Sequence, residues 1–569
     1  MKQRLADYIA DFLVYHGITE CFSVVGGGAM YLNNALGHKI GMHSTYNHHE
    51  QACSMAAEAY ARYTGNPAVV CVTTGPGATN AITGVVCAWQ ASLPMIVISG
   101  QVRYATSVYK SGLKLRSRGI QEFDIIGSVK NMTKYCELIN SPSQIKKCLE
   151  KALYEATSGR PGPVWLDIPL DIQAAIIEID ELESYNSQNR FESIFDKSIN
   201  EILFQIQRAK KPLILAGNGI RISGGHNDFV KLIEKIKIPV VTTLGSVDAF
   251  PTINDLYVGK CGTLGDEAGN YALKKCDLLI SIGSRLPFSV TGFEYEHWAE
   301  HAYKIICDVD SEELKKDSSK ANLKVCCDAR IVIKSLLKIL ENKVVKEKND
   351  WIQELSIRKQ KSPLVFKRHF DDKKPNIYVF YKKMTELLPD ESAILVSVGS
   401  ARTVGSKVSV IKNSTRFITN SVTAAMGYDL PAAIGVCVAR HNKKTILCTG
   451  EGSLQMNIQE LQTLVHNKCN LTIFVLNNGG YHSIRLTQKT YFNGNYIGMG
   501  NESGDISFPD LEKISYAYGI SYMRCSMATE LDDCIAWAID GNSLKVCELM
   551  LSTDYIIEPK EAQILKVEK

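Results

Sequence analysis

The chain has 569 residues, of which 64 are Lys or Arg and 60 are Asp or Glu, so its formal net charge is +4. This near balance excludes a strongly basic nucleic-acid-binding protein and a protein with an acidic tail. With 45% hydrophobic and 22% charged residues, the composition is that of a globular protein with large cores, and the length predicts three or four domains.

The predicted elements of the first third of the chain alternate between helices and strands. Leu5, Ile9, Phe12 and Leu13 recur at helical spacing and predict an opening amphipathic helix. Strands are predicted at residues 21–25, 69–73, 95–99 and 164–168. Helical segments of about 12 to 20 residues separate these strands, which predicts βαβ units and a parallel sheet.

Two further α/β blocks follow. A polar stretch at residues 184–193 is a predicted linker, and strands are predicted at 213–216, 240–243, 278–282 and 305–309. A charged stretch at 341–363 is a second predicted linker, partly helical, before predicted strands at 394–398, 445–448, 471–476 and 546–551. The sequence thus predicts an α/β fold of three doubly wound parallel-sheet domains, at residues 1–183, 190–345 and 365–569. The first and third blocks look alike in architecture.

The cysteines and the N-terminal residues predict the cellular location of the protein. The 17 cysteines lie mostly in apolar runs and form no C-x-x-C pair, which predicts reduced thiols in a cytoplasmic protein. We expect no signal peptide, because no basic stretch followed by an apolar core begins the chain. The apolar region at 78–100 is interrupted by polar residues and Pro94, and therefore predicts a buried helix and strand, not a membrane span.

The strongest motif joins the ends of two predicted neighbouring strands. Residues 450–453 (Gly-Glu-Gly-Ser) follow one strand, and residues 477–480 (Asn-Asn-Gly-Gly) follow the next. Carboxylate and amide oxygens suit a hard cation such as Mg²⁺ or Ca²⁺, and glycines let backbone N–H groups approach a phosphate. Either segment alone is explained by an ordinary turn, but the pair predicts a metal-bridged diphosphate site.

These segments resemble the diphosphate-binding motif of thiamine diphosphate enzymes, which runs from Gly-Asp-Gly to Asn-Asn. The separation of Glu451 from Asn478 (478 − 451 = 27 residues) is the one the family pattern requires. The resemblance implies that Glu451, Asn478 and the carbonyl of Gly480 hold Mg²⁺. It also implies that the cofactor is contacted by Gly450, Gly452, Ser453, Tyr481 and His482. Glu451 stands where the family usually has Asp, so its longer side chain must retract or the backbone must shift.

A second segment, His48-His49-Glu50-Gln51, resembles the His-Glu-Gln segment of the acetolactate synthase group. In that family the glutamate hydrogen-bonds N1′ of the cofactor's aminopyrimidine, so the resemblance implies that Glu50 is catalytic. Without the resemblance, Glu50 is better explained as a surface residue at the start of a helix, stabilised by the helix dipole. A metal cluster of His43, His48 and His49 is disfavoured, because no carboxylate pair completes it.

The resemblance covers nearly the whole chain in order and implies further site residues. The turn with Gly75, Pro76 and Asn80 would approach the pyrimidine ring, and Gln121 matches the family's catalytic glutamine. Met426 would wedge under the cofactor, and Ser400 and Ala401 would lie beside the diphosphate. The middle block resembles the FAD-binding domain of the group through Arg160, Gly217, Gly219, Thr243, Leu244, Gly262, Thr263, Gly283, Arg285 and Asp308.

The middle block also leaves alternatives. Gly217-x-Gly219 lacks the third glycine of the dinucleotide fingerprint, so a nicotinamide dehydrogenase is disfavoured. A central domain that is empty or binds ADP is the alternative to FAD.

Departures from the acetolactate synthase group fall at the acceptor pocket. Residues 481–488 contain no Trp, and Ile120 replaces the aromatic residue beside the catalytic glutamine. These changes argue against the housekeeping enzyme of branched-chain amino acid synthesis. His482, Arg485 and Lys489 either serve a larger or anionic acceptor or form a solvated helix face.

The sequence therefore predicts an enzyme that decarboxylates a 2-oxo acid, pyruvate first, and transfers the acyl unit to a carbonyl acceptor. The acceptor is a second 2-oxo acid or a nucleotide-linked keto sugar. The resemblance implies thiamine diphosphate, Mg²⁺ and FAD as cofactors, and a homodimer or homotetramer with active sites between subunits. No nucleic-acid or membrane partner is expected. The alternatives are a decarboxylase that forms no new C–C bond and a catalytically impaired cofactor-binding homologue.

Overall fold

The computed structural model describes residues 1–186, 196–553 and 555–558, and three six-stranded parallel sheets succeed one another along these residues. Helices flank each sheet, which confirms the predicted α/β class with three doubly wound domains. Most of the inner strands are short apolar runs buried on both faces, as parallel sheets covered by helices require. No helix within the described residues is long and apolar enough to span a membrane.

The N-terminal domain contains the first sheet. Its strands are β1 (Lys2–Arg4), β2 (Glu20–Ser23), β3 (His43–Tyr46), β4 (Val69–Val72), β5 (Met95–Gln101), β6 (Tyr135–Leu138), β7 (Pro163–Pro169) and β8 (Ile176–Glu178). Its helices are α1 (Leu5–Tyr15), α2 (Met30–His38), α3 (Glu50–Thr64), α4 (Pro76–Asn80), α5 (Ile82–Ala91), α6 (Val108–Ser111), α7 (Ile125–Val129), α8 (Ile145–Thr157) and α9 (Leu170–Ala174). The sheet order is β3-β2-β4-β5-β7-β6, and β1 pairs with β8 in a separate antiparallel ribbon.

The central domain contains the second sheet. Its strands are β9 (Pro212–Ala216), β10 (Val240–Thr242), β11 (Tyr257–Lys260), β12 (Leu278–Ile282), β13 (Tyr303–Asp308) and β14 (Leu323–Cys326). Its helices are α10 (Asp196–Arg208), α11 (Gly219–Ile222), α12 (His226–Ile236), α13 (Glu267–Lys275), α14 (Phe288–Thr291), α15 (Ala329–Ile339) and α16 (Asn349–Lys361). The order β11-β10-β9-β12-β13-β14 is that of dinucleotide-binding folds, whose ligands lie where the strand order reverses.

The C-terminal domain contains the third sheet. Its strands are β15 (Ala393–Val396), β16 (Arg416–Ile418), β17 (Thr445–Thr449), β18 (Leu471–Asn477), β19 (Ser521–Cys525) and β20 (Lys545–Met550). Its helices are α17 (Ile377–Leu387), α18 (Ser400–Val408), α19 (Asp429–Ala439), α20 (Glu451–Gln455), α21 (Glu460–His466), α22 (His482–Tyr491), α23 (Leu511–Ala517) and α24 (Leu531–Ile539). The order β16-β15-β17-β18-β20-β19 repeats that of the first sheet, which confirms the predicted likeness of the two domains.

The stretch at 341–363, predicted to be a partly helical linker, does contain a helix, α16, but this helix packs on the central domain. Trp351 of α16 is 2% exposed, and its Nε1 donates to the Pro212 carbonyl at 3.0 Å. Two buried apolar residues, Trp351 and Leu355, dock this highly charged helix, and the ion pairs Lys211–Glu354 and Arg358–Glu267 add to the contact. The other predicted linker, 184–193, lies largely outside the described residues, as do residues 190–195 and 559–569 of the predicted domains. The domain boundaries stay predictions.

The N- and C-terminal domains pack through helices α3 and α19. A β-carbon built on Gly435 of α19 would lie 2.0 Å from the Ala56 carbonyl oxygen of α3, so the two helix backbones are in direct contact. The Tyr428 hydroxyl donates to the buried carboxylate of Glu58, which also pairs with Arg62. One continuous apolar core therefore runs through both domains.

A buried carboxylate joins all three domains. Asp248 of the central domain accepts a hydrogen bond from Arg416 Nε at 2.8 Å and lies 3.2 Å from Arg221 Nε. The other guanidinium nitrogens of Arg416 donate to the carbonyls of Arg62 and Tyr63, at the C-terminal end of α3. We call these five residues the Asp248 junction.

Candidate active site

The predicted diphosphate and metal residues lie at one edge of the third sheet. Helix α18 begins at Ser400 after β15, α20 begins at Glu451 after β17, and α22 begins at His482 after β18. The strand order reverses between β15 and β17, and ligands of open α/β sheets bind at such a point. The structure therefore brings the two predicted motif segments, 450–453 and 477–480, together.

The Glu451 carboxylate is buried at the centre of this edge, with 3% of the residue exposed. Its Oε1 accepts hydrogen bonds from the backbone N–H of Gly480 at 2.6 Å and of Asn478 at 3.2 Å. Its Oε2 is buried and has no hydrogen-bond partner in the part of the chain that the structure describes. Burial raises the pKa of Glu451 to about 7, although these N–H groups and the Arg485 charge oppose the rise. A buried carboxylate oxygen without a partner is costly, so a cation fits beside Oε2.

The other two predicted ligands offer oxygen atoms of the kind that Mg²⁺ prefers. The backbone N–H groups of Asn478 and Gly480 contact the Glu451 carboxylate, and these residues carry an amide oxygen and a main-chain carbonyl, respectively. Arg485, which is buried, donates to the Asn478 carbonyl at 3.0 Å and holds the amide side chain at 3.4 Å. No group of three His, Cys, Asp or Glu side chains forms a metal cluster in the described residues.

The turn before α20 leaves room for a ligand. Gly450 has a φ of −90°, and a β-carbon built on it would meet no atom within 4 Å, so the chain itself does not require glycine there. The glycine at position 450 is better explained by a ligand that approaches the backbone closely there. Next to it, a β-carbon on Gly452 would lie 2.2 Å from the Tyr481 ring, and Ser453 Oγ accepts from the Gly427 N–H at 2.9 Å.

A residue that the sequence analysis missed connects two of the predicted ones. The Tyr555 ring stacks on His482 at 3.9 Å between centroids, and the Tyr555 hydroxyl donates to Ser400 Oγ at 2.7 Å. Burial raises the pKa of Tyr555, so the phenol remains a donor at neutral pH. No local pattern points to Tyr555, because its partners lie 73 and 155 residues away along the chain.

Glu50, the predicted acid, begins helix α3 at the edge of the first sheet. Its Oε2 accepts a hydrogen bond from Asn80 Nδ2 at 3.0 Å. Asn80 ends helix α4, which Pro76 begins, so the predicted turn and the predicted acid are brought together. The His49 ring caps the N-terminus of α3 by accepting from the Gln51 N–H.

Gln121 lies against the same turn. Gly75 has a φ of +62°, and a β-carbon on it would lie 2.2 Å from the Gln121 carbonyl oxygen. Gln121 itself has a φ of +63°, a conformation that costs a side-chain-bearing residue energy and is concentrated at functional sites. The structure thus assembles Glu50, the 75–80 turn and Gln121.

The start of α3 also contacts the C-terminal domain. Asn457 Nδ2 donates to the Gln51 side chain at 3.0 Å and to the carbonyl of Gly427, beside the half-buried Met426. The His48 N–H donates to Glu460. However, no hydrogen bond joins Glu50 to the Glu451 group within the described residues of one chain.

A cavity of about 510 Å³ lies where the three domains meet, at the strand reversal of the central sheet. Its lining includes seven predicted residues, Arg160, Gly219, Thr243, Leu244, Gly283, Arg285 and Asp308. Gly217 lies below it, since a β-carbon there would be 2.2 Å from the Gly283 carbonyl, whereas Gly262 and Thr263 do not line it. The N- and C-terminal domains add Arg62, Gln90, Arg402 and Ser421, which the sequence analysis missed.

The cavity is rich in arginine. Burial lowers the pKa of Arg402, whose Nε has no hydrogen-bond partner among the residues described. The pKa of Arg285 is also lowered, first by burial and then by the Arg160 charge. Burial raises the pKa of Asp308. An elongated ligand with anionic groups fits this lining.

Comparison with known proteins gives matches along most of the chain. Residues 3–127 match the family "Thiamine pyrophosphate enzyme, N-terminal TPP binding domain", residues 199–336 its central domain and residues 397–549 its C-terminal TPP binding domain. The acetolactate synthase large subunit of Lactococcus lactis is 30% identical over 545 residues, which cover 95% of this chain and 91% of that protein. Acetolactate synthase 2, chloroplastic, of Nicotiana tabacum is 31% identical over 94% of this chain and 80% of its own length. The acetolactate synthase isozyme 3 large subunit of Escherichia coli is 28% identical over 94% and 92%.

Proposed function

This chain belongs to the thiamine pyrophosphate enzymes of the acetolactate synthase group, and from that premise we propose that it decarboxylates pyruvate and joins the remaining acyl unit to a carbonyl acceptor. The observation that carries the proposal is the buried Glu451 carboxylate, which contacts the 478–480 backbone through Oε1 and whose Oε2 has no hydrogen-bond partner among the described residues. The related synthases disfavour a decarboxylase that forms no C–C bond and an impaired homologue.

Mg²⁺ is proposed to be held by Glu451 Oε2, the Asn478 amide oxygen and the Gly480 carbonyl. The extra methylene of Glu451 is accommodated because its Oε1 folds back onto the 478–480 backbone N–H groups. Hard cations prefer such an oxygen set, and the ion would neutralise the diphosphate that it bridges.

Thiamine diphosphate, when bound, supplies an electron sink for the bond broken as CO₂ leaves. Glu50 is proposed to hold a proton on Oε1 toward the cofactor ring, because Asn80 occupies Oε2 and fixes the carboxyl group. Gln121, an exposed residue that packs against the 75–80 turn, is proposed to orient the substrate carbonyl.

FAD is proposed to bind in the arginine-rich cavity. The central sheet has the strand order of dinucleotide-binding domains, and seven of the ten residues assigned to FAD line the cavity. The unpartnered Arg402 Nε supports an anionic occupant.

The assembly is proposed to be a homodimer or homotetramer in which Glu50 of one subunit completes the crevice of another. The lack of a hydrogen bond between the Glu50 and Glu451 groups in the described residues of one chain supports this arrangement. A cytoplasmic location is proposed because all 17 cysteines are free thiols, most of them buried.

The test measures CO₂ release from pyruvate by the purified protein with thiamine diphosphate and Mg²⁺, with mass analysis of the products. We expect a C–C bonded product, and we expect Glu50→Gln to lower CO₂ release by roughly 10²–10⁴-fold with an unchanged melting temperature. Acetaldehyde as the only product would contradict carboligation, and unaltered release by Glu50→Gln would contradict the role of Glu50.

A further inference from the structure

Residues 103–121, which we call the basic loop, concentrate positive charge. The loop carries five cations and no Asp or Glu, in a chain whose charges otherwise nearly balance. Its cations are Arg103, Lys110, Lys114, Arg116 and Arg118. Cations this close together repel one another unless an anion neutralises them, so the presence of the cluster in this loop requires a physical explanation.

The cations of the basic loop are left without protein partners. Within the described residues, none of the five side chains makes a hydrogen bond or an ion pair. Lys110 Nζ lies 6.0 Å from the centre of the Tyr104 ring, a weak contact. The neighbouring acids are already engaged. Asp171 accepts the backbone N–H groups of Tyr104 and Ala105, and Asp124 accepts from Tyr109 and Gly127.

Glu122 holds the loop in shape. Its buried carboxylate accepts the backbone N–H groups of Val108, Arg118 and Gly119, which draws the two ends of the loop together. A carboxylate with three such donors is fully satisfied and adds no free negative charge to the surface. The exposed cations are therefore presented by a closed loop.

The basic loop ends at the candidate active site. Gln121, its last residue, packs its carbonyl against Gly75, and the turn that Gly75 begins carries Asn80, which holds the Glu50 carboxyl group. The loop also exposes apolar side chains, with Ile120 89% exposed and Leu113 61% exposed. A ligand that reaches from Gln121 onto the loop would meet apolar surface and cations in turn.

We infer that the basic loop is the subsite for a phosphate-bearing acceptor, whose phosphate group binds Lys114, Arg116 and Arg118 while its carbonyl group lies at Gln121. This inference rests on the proposed function and names the acceptor class. A second 2-oxo acid carries a single carboxylate, for which one cation is enough. Phosphate esters carry two or more charges, and arginine binds them with paired hydrogen bonds.

The test uses the protein loaded with thiamine diphosphate, Mg²⁺ and FAD, so that the proposed cofactor sites are occupied and cannot bind the probes. UDP and glucose 1-phosphate are titrated by calorimetry at low and high salt. The variant is Lys114→Gln/Arg116→Gln/Arg118→Gln. The matched control removes the same charge from exposed lysines elsewhere, as Lys343→Gln/Lys346→Gln/Lys374→Gln.

We expect the wild-type protein to bind at least one probe, the affinity to fall with salt, and the loop variant to bind about tenfold or more weakly than the control. Binding of UDP alone identifies a nucleotide-linked acceptor, and binding of glucose 1-phosphate a sugar phosphate; either supports the subsite.

Three results would overturn it: no binding by the wild-type protein, equal affinity in the loop variant, or equal loss in the control. Dissociation of the oligomer by the loop variant, seen by mass photometry, would also overturn it and make the loop a subunit contact. If the wild-type protein does not release CO₂ from pyruvate, this result contradicts the proposed function and not the phosphate subsite.

Discussion

Asp167 and Glu451 are both buried carboxylates whose pKa burial raises to about 7, yet their surroundings differ. Each oxygen of Asp167 has a donor, Ser99 Oγ at 2.6 Å and Gln101 Nε2 at 2.9 Å. Glu451 keeps one oxygen without a partner. Asp167, whose two oxygens both accept hydrogen bonds, connects strands of the N-terminal sheet. Glu451, which has one oxygen without a partner among the described residues, is suited to bind a ligand.

Asp167 predicts a pH-dependent stability. Its folded pKa lies above the ordinary value of 3.8, so the stability it contributes is full below about pH 4 and is lost as the pH rises through about 7. Over that window the loss is on the order of 4 kcal/mol. Asp167→Asn cannot titrate, so its stability relative to the wild type should improve from pH 5 to pH 7.5 in urea unfolding. A constant difference across that range would contradict the prediction.

Gly450→Ala should separate folding from cofactor binding. A β-carbon meets no atom within 4 Å, so the melting temperature should stay within about 1–2 °C of the wild type. The methyl group would occupy the space proposed for the diphosphate, so thiamine diphosphate affinity should fall by about tenfold or more, measured by calorimetry on the apoprotein. Unchanged affinity would place the diphosphate elsewhere.

At the scale of elements, the inner strands could be predicted and the edge strands could not. The run at β4 is wholly apolar and buried on both faces, which gives an unmistakable pattern. Strands β3 (His-Ser-Thr-Tyr) and β19 (Ser-Tyr-Met-Arg-Cys) are half exposed and polar, so they lack that pattern. Helix α16 lies within a predicted, partly helical linker, because its charged residues outnumber the buried apolar residues that dock it.

The same distinction applies to the candidate site. The metal and diphosphate residues could be predicted, because they follow strand ends at a fixed spacing. Tyr555 and Arg402 could not, because only the tertiary fold brings them to His482, Ser400 and the cavity.

The contact between α3 and α19 gives an element-scale prediction. Alanine favours a helix over glycine by about 1 kcal/mol, so Gly435→Ala would stabilise an isolated α19. Here the methyl group must displace the Ala56 carbonyl, and we expect a net destabilisation of about 1–3 kcal/mol in urea unfolding. A variant more stable than the wild type would mean that the two helices do not approach so closely.

At the scale of the whole molecule, the Asp248 junction fixes the three domains relative to one another. Burial alone raises the pKa of Asp248, but the charges of Arg221 and Arg416 outweigh it, so the pKa lies below its ordinary value. The stabilisation is full above about pH 4 and is lost only as the pH falls through the lower folded value. The junction is therefore intact at physiological pH.

Asp248→Asn should remove this connection and leave two buried arginines without their counter-charge. We expect a loss of about 3–5 kcal/mol and a lower melting temperature at pH 7. Protease cleavage between the domains should also become faster. The exposed pair Lys443–Glu391 provides the control, since Glu391→Gln should change stability by less than about 1 kcal/mol. Equal effects of the two substitutions would contradict the junction's role.

The packing of α3 against α19 also has a consequence for folding during translation. Helix α3 is complete at residue 64, but Tyr428, which covers its interior carboxylate Glu58, is translated 428 − 64 = 364 residues later. Until then the nascent chain presents an uncovered apolar helix face, a condition that invites aggregation or chaperone capture. An excised fragment that ends after the first sheet should therefore be insoluble when expressed alone, and co-expression with the segment that carries α19 should rescue it.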